Sequence, residues 1–142
     1  VRLQLECRGV QILACDSAWL DQAMQQETPE SKLLVDLRKV NEIEALPEGL
    51  KEKGIARVSI PVTAKTWSEQ DMDTLRREFL RGQSPVVVMS KGGERAALVA
   101  LQHVARAEQW SLETALEKCP EVAQRAELKK LLSDYLERHT RS

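Results

Sequence analysis

The stretch Pro85-Val86-Val87-Val88-Met89-Ser90-Lys91-Gly92-Gly93-Glu94-Arg95, with the helical run from Ala96 to Glu108 directly behind it, decides how the chain folds. A β-branched apolar run that stops at a glycine pair and passes at once into a helix is how α/β proteins build an anion site. The first amides of the new helix have no intrahelical acceptor, and the helix dipole adds partial positive charge to them. Arg95 stands in the first turn and offers a fork of donors to the same anion.

Two further strands frame this unit. Leu33-Leu34-Val35-Asp36-Leu37 is nearly all apolar, as expected of a strand buried on both faces of a parallel sheet, and Ile55 to Pro61 reads as the next. Asp36 and Arg38 close the first of them at the end where open α/β sheets bind ligands. They read either as part of that rim or as an Asp capping the next loop beside an Arg in a surface pair. Between the second strand and the loop, Ser68 is an N-cap with Asp71 three residues on, Trp67 and Met72 occupy staple positions, and Met72, Leu75 and Phe79 carry the apolar face to Gly82.

Outside this core, Val1 to Ala14 reads as one or two short strands punctuated by Gly9, and Ser17 as the N-cap of a helix holding Trp19, Leu20, Ala23 and Met24. A helix is also expected between Pro47 and Gly54, another over Ser111 to Lys118 that Pro120 stops, and a continuous last one from Glu121 to Arg138. His103 lies inside a run that is apolar on nearly every side and has no ligand-type residue at helical spacing, so it reads as a core histidine. The pattern predicts an α/β fold with a central, mostly parallel sheet of four or five strands flanked by helices. The ends of strands 33–37, 56–60 and 86–90 meet at one rim. The expected organisation is a single domain, residues 1–142: strands and a helix in 1–32, a core in 33–119 that carries the loop 90–95, and the last helix over 121–138.

Composition removes several classes of function. Lys and Arg number 21 against 22 Asp and Glu, so the overall balance recruits neither nucleic acid nor an acidic membrane surface. Cys7, Cys15 and Cys119 are odd in number and lack a C-x-x-C spacing, which points to free thiols of a reducing compartment and away from a zinc site. No apolar run approaches the roughly 18 residues that span a bilayer. A cytoplasmic protein without metal or cofactor is the expectation, although a start at Val1 in a strand-like segment leaves room for a longer parent protein.

In this order the residues Leu33 to Arg38, Val58-Ser59-Ile60-Pro61-Val62-Thr63 and Pro85 to Ala97 resemble the small bacterial cysteine-phosphatase-like family, the beta-lactamase-hydrolase-like phosphatases close to dual-specificity protein phosphatases. The resemblance covers about 90 residues, Leu33 to roughly Cys119. The family's loop reads Cys, four residues, Arg. Rhodaneses share that loop and an Asp-x-Arg strand end and are the near alternative, while the Ile60-Pro61-Val62-Thr63 segment favours the phosphatase-like family. In such enzymes the cysteine thiolate, held by loop amides, attacks phosphorus; the arginine binds the phosphoryl oxygens; an aspartic acid from a neighbouring loop protonates the leaving group.

Carried over residue by residue, the nucleophile position is Ser90, the phosphate-binding arginine is Arg95, and Lys91, Gly92, Gly93 and Glu94 form the cradle. Asp71 and Asp73, with Glu69 beside them, are the acid candidates, and Asp71 is already explained as a cap. Three departures stand out. Ser90 is an alcohol, far harder to ionise than a thiol of pKa about 8.5. Glu94 puts a carboxylate in an anion cradle, where it repels phosphate unless it turns outward or pairs with Arg95. Met89 stands where related loops carry a polar aromatic or a histidine. The resemblance therefore implies a phosphatase-like domain with a degenerate loop that binds a phosphate-like anion or a phosphorylated or acidic partner without turnover. Its alternatives are an active tyrosine or dual-specificity-type phosphatase seen with Ser in place of Cys, and an interaction module in which Gly92-Gly93 is only a tight turn. Oligomeric state has no signal in the sequence.

Overall fold

A computed structural model describes residues 3–26, 31–39, 41, 49–50, 52–63, 65–81 and 85–139. Of the helix expected between Pro47 and Gly54, Pro47, Glu48 and Lys51 lie outside these residues, while Gly49, Leu50 and Glu52 to Gly54 form turns and not a helix; the stop at Gly82 also lies outside. The elements run β1 (Leu3–Cys7), β2 (Val10–Cys15), α1 (Ala18–Met24), β3 (Leu33–Asp36), β4 (Ala56–Ser59), α2 (Glu69–Arg81), β5 (Val86–Met89), α3 (Glu94–Glu108), α4 (Leu112–Lys118), α5 (Pro120–Gln124) and α6 (Ala126–His139). One five-stranded sheet has the order β1-β2-β5-β3-β4. Only β1, paired with β2 through a hairpin at Arg8-Gly9, is antiparallel; β2, β5, β3 and β4 run parallel.

Alternation along the strands sorts the core onto two faces. Ile12, Ala14, Val35, Val86 and Val88 point to one side, where they pack with Met72, Leu75 and Phe79 of α2, the apolar residues of α3, and Leu128, Leu132 and Tyr135 of α6. Cys15, Leu34, Val87 and Met89 point to the other, where Leu20 and Ala23 of α1 and Ile55 cover them. Every residue of β5 is fully buried, as the unbroken apolar run demands, and at roughly 25 cal/mol per Å² this central strand is a main source of hydrophobic stabilisation. Asp36 lies opposite Ser59 on one side and Met89 on the other, so β3, β4 and β5 end at one rim as expected.

Three local expectations need correction. Ser17 occupies the N-cap position of α1 but its side chain makes no capping bond; Asp16 Oδ1 accepts from the Ala18 N–H at 3.1 Å instead. The helix behind the loop starts at Glu94, two residues earlier than read, because Gly93 takes the left-handed turn (φ 91°) and its carbonyl already accepts from the Ala97 N–H. The last helix is broken: α5 ends at Gln124, Arg125 is extended, and α6 restarts at Ala126. At about 100° per residue a continuous helix would set Val122 roughly 90–100° away from the stripe of Leu128, Leu132, Tyr135 and Leu136. The break lets all five be buried.

Candidate anion-binding site

Met89 ends β5, and Ser90 follows at the base of the loop with no exposed surface. Its N–H donates to the Cys15 carbonyl, and the Lys91 carbonyl accepts from Ser17 N–H, which ties the loop to the end of β2. Ser90 Oγ accepts two backbone hydrogen bonds, from Gly93 N–H at 3.1 Å and from Ala96 N–H at 3.2 Å. These are the donors a loop of this shape offers to negative charge. Here they converge on a neutral hydroxyl. Among the described residues no histidine, lysine or carboxylate hydrogen-bonds that hydroxyl, so no base stands ready to take its proton. The neighbouring Cys15 thiol does not substitute: burial pushes its pKa up to about 11, and it is fully enclosed.

Arg95, half-buried at the second position of α3, donates from Nη1 to the Val62 carbonyl at 2.9 Å. The loop after β4 thereby holds the guanidinium beside the helix start. That loop is itself fixed by Val62 N–H donating to Leu37 O and by mutual hydrogen bonds of Thr63 and Thr66. Glu94 folds its carboxylate back over Gly92, so closely that a Cβ on Gly92 would meet Oε2 at 2.6 Å. The other carboxylate oxygen lies 3.9 Å from Nη1 of Arg125, the residue at the α5–α6 break. Lys91 is exposed at the loop's outer edge.

The open cleft beside this loop, about 360 Å³, is bounded by Lys39 after β3, Thr63 and Lys65 after β4, Glu94 and Arg95 on α3, and Arg125, Glu127 and Leu128 at the corner of α6. Four cations face two carboxylates. Lys39 and Lys65 went unremarked in the sequence although each follows a strand end, which was the available signal. Arg125 could not be found there, because its position depends on the helix break.

Asp36 and Arg38 sit below this rim as a buried ion cluster. Asp36 Oδ1 accepts from the Arg38 backbone N–H and Nε, and Oδ2 from Arg38 Nη2 and Arg57 Nε, all at 3.0 Å. Burial pushes the Asp36 carboxyl up, but the hydrogen bonds of Arg38 and Arg57 outweigh it and hold the group below the usual carboxylate range. The capping reading thus describes Asp36, with the difference that Arg38 is 4% exposed and the pair is buried.

The acid candidates are dispersed. Asp71 is held at the start of α2, where its N–H donates to Ser68 Oγ at 3.1 Å. Asp73 faces Arg106 at 3.9 Å. Arg106 lies twelve residues along α3 from Glu94, about 18 Å at 1.5 Å per residue, so Asp73 stands at the far end of that helix. Glu69 is engaged by Arg138 and His139.

No protein-family model and no curated protein matches the sequence. Solved structures do. Tk-PTP in its active form superposes with a TM-score of 0.67 at 20% identity, over 91% of this chain and 92% of its own. A candidate phosphatase from Neisseria meningitidis gives 0.64 at 19%, over 95% and 99%. TpbA of P. aeruginosa, crystallised as a cysteine-to-serine variant with phosphotyrosine, gives 0.54 at 17%, over 89% and 74%. At these identities the likeness is one of fold, and the fold is that of cysteine-based phosphatases.

Proposed function

We propose that the chain is a phosphatase-like binding domain: the loop 90–95 and its cationic cleft receive a phosphorylated or acidic group, and the bound ester is not hydrolysed. The observation that carries this reading is Ser90, at the base of the loop, accepting both inward amides without a base at its hydroxyl. In the thiolate version those amides stabilise the attacking charge. Here they hold a neutral hydroxyl, and the positive charge offered to a ligand comes from Lys39, Lys65, Arg95 and Arg125 around the cleft. The scattered acid candidates support the same reading, since none is held near Ser90 by a contact that the described residues make. Three buried free thiols fit a reducing, cytoplasmic setting.

The test is a pair of assays on the intact chain. Hydrolysis of para-nitrophenyl phosphate is expected to stay at background, and phosphate is expected to raise the melting temperature by clearly less in Arg95→Ala than in the parent protein. Turnover at rates usual for enzymes, kcat on the order of 1 s⁻¹ or more, would sink the proposal. A second reading, an active enzyme seen with serine at the nucleophile position, is favoured by one observation: the phosphotyrosine complex of TpbA was obtained with such a serine variant. Ser90→Cys separates the two, because the binding-domain reading expects that variant to remain inactive with Asp73 so far from the loop.

A further inference from the structure

At the end of α3 remote from the loop, arginines from three elements converge: Arg8 from the β1–β2 turn, Arg76 from α2 and Arg106 from the last turn of α3. With Gln109 and His139 they line an open surface cleft of about 340 Å³. Each of the two inner guanidiniums is aimed by one hydrogen bond that it donates to an aromatic side chain. Arg76 Nε donates to His103 Nδ1 at 3.3 Å, and Arg106 Nη1 to Tyr135 Oη at 2.9 Å. Among the described residues neither makes another hydrogen bond, and Arg8 and Arg76 have no carboxylate within ion-pair distance.

The counter-charges nearby do not balance three cations. Asp73, 58% exposed, lies 3.9 Å from Arg106 and also acts on Arg76 through space, so one solvated carboxylate is shared between two guanidiniums. Glu69 is held by Arg138 and His139, and the Glu108 carboxylate acts on the Cys7 thiol, whose pKa burial and that charge push up. The carbonyl end of α3 supplies about half a charge. His103 accepts through Nδ1 and, buried as it is, adds none.

A second observation falls at the same place. The described residues include two non-glycines with left-handed backbone, Arg8 (φ 52°) and Gln109 (φ 58°), and both line this cleft. The neighbouring turn residue Gly9 shows what the hairpin tolerates without strain; an arginine at φ 52° is accepted against that preference.

We propose that this cleft is a second oxyanion site, built for the phosphoryl dianion of a small soluble molecule. Guanidinium forks from three directions match the three oxygens of a tetrahedral phosphoryl group better than the two coplanar oxygens of a carboxylate. Bound there, the group replaces the missing counter-charge between α2, α3 and the hairpin.

The test uses the full chain carrying Arg95→Ala, which removes the loop's contribution, titrated with inorganic phosphate and with phenyl phosphate at ionic strength fixed by NaCl. The amide resonances of Arg8 and Gln109 are expected to shift along a saturating curve with an apparent Kd below about 10 mM. Adding Arg8→Gly, which suits the turn and keeps the fold, is expected to weaken that Kd about tenfold or more, as loss of a charged fork should. Equal Kd values for the two probes assign the free dianion, and tighter phenyl phosphate assigns the ester. Linear, unsaturated shifts, or an Arg8→Gly protein that titrates like its parent, overturn the proposal.

Discussion

The hydroxyl of Ser90 sits at the base of the strand-to-helix loop, and its surroundings show what an oxygen in that place can do. Ser90 Oγ accepts from Gly93 and Ala96 in a position that would favour a thiolate, but the same two hydrogen bonds cannot bring an alcohol near ionisation at neutral pH. The strand end at Met89, the Ser90 to Gly93 turn and the helix behind it were legible in the sequence because local patterning fixes them. The place of the Arg95 guanidinium against Val62 and of the Glu94 carboxylate beside Arg125 was not, since both involve residues more than 30 positions away. His103, read as a core histidine, proves to be one with a consequence. Burial first, then the charges of Arg76, Arg8 and Arg106, depress its pKa from 6.5 to about 4. Between those values the unfolded chain takes up a proton that the folded chain refuses, so stability falls as pH drops from about 6.5 toward 4, by up to about 3 kcal/mol. His103→Gln keeps an acceptor for Arg76 without titrating. Urea unfolding of the two proteins at pH 7 and pH 4.5 is expected to show the smaller loss in His103→Gln, and equal losses would contradict this role.

At the level of elements, patterning located the strands and the major helices, and contacts across the chain decided their ends. The run Val86 to Met89 had to be a central strand, and it is. The break at Arg125 could not be read locally, because no glycine or proline marks it; it exists so that Val122 and the α6 stripe can both reach the core. Caps illustrate the same division. Ser68 accepts from Asp71 N–H as its sequence suggests, whereas Ser17 Oγ is buried without a hydrogen-bond partner and the cap of α1 comes from Asp16. Ser68→Ala is therefore expected to cost about 1 kcal/mol of unfolding free energy, and Ser17→Ala to be neutral within about 0.5 kcal/mol, in paired denaturant titrations. A larger loss for Ser17→Ala than for Ser68→Ala would refute the cap assignment.

Across the whole molecule, α3 joins the two proposed sites. Its start closes the loop at the strand rim, and its end, about 18 Å away, carries one of three converging arginines. The sheet order β1-β2-β5-β3-β4 brings the ends of β3, β4 and β5 together, which sequence alternation anticipated; which strand neighbours which is a matter of non-local pairing, and the convergence of Arg8, Arg76 and Arg106 follows from that pairing and from helix packing. The central claim is that the rim binds a phosphoryl group and leaves its ester intact. Phosphorus NMR of O-phosphotyrosine mixed with the full chain tests both halves at once. The account predicts that the ester resonance shifts or broadens as protein is added, that this change is reduced in Arg95→Ala, where only the arginine cluster at the far end of α3 still binds, and that no inorganic phosphate signal grows over hours. A growing inorganic phosphate signal, or an ester resonance indifferent to the protein, would contradict it.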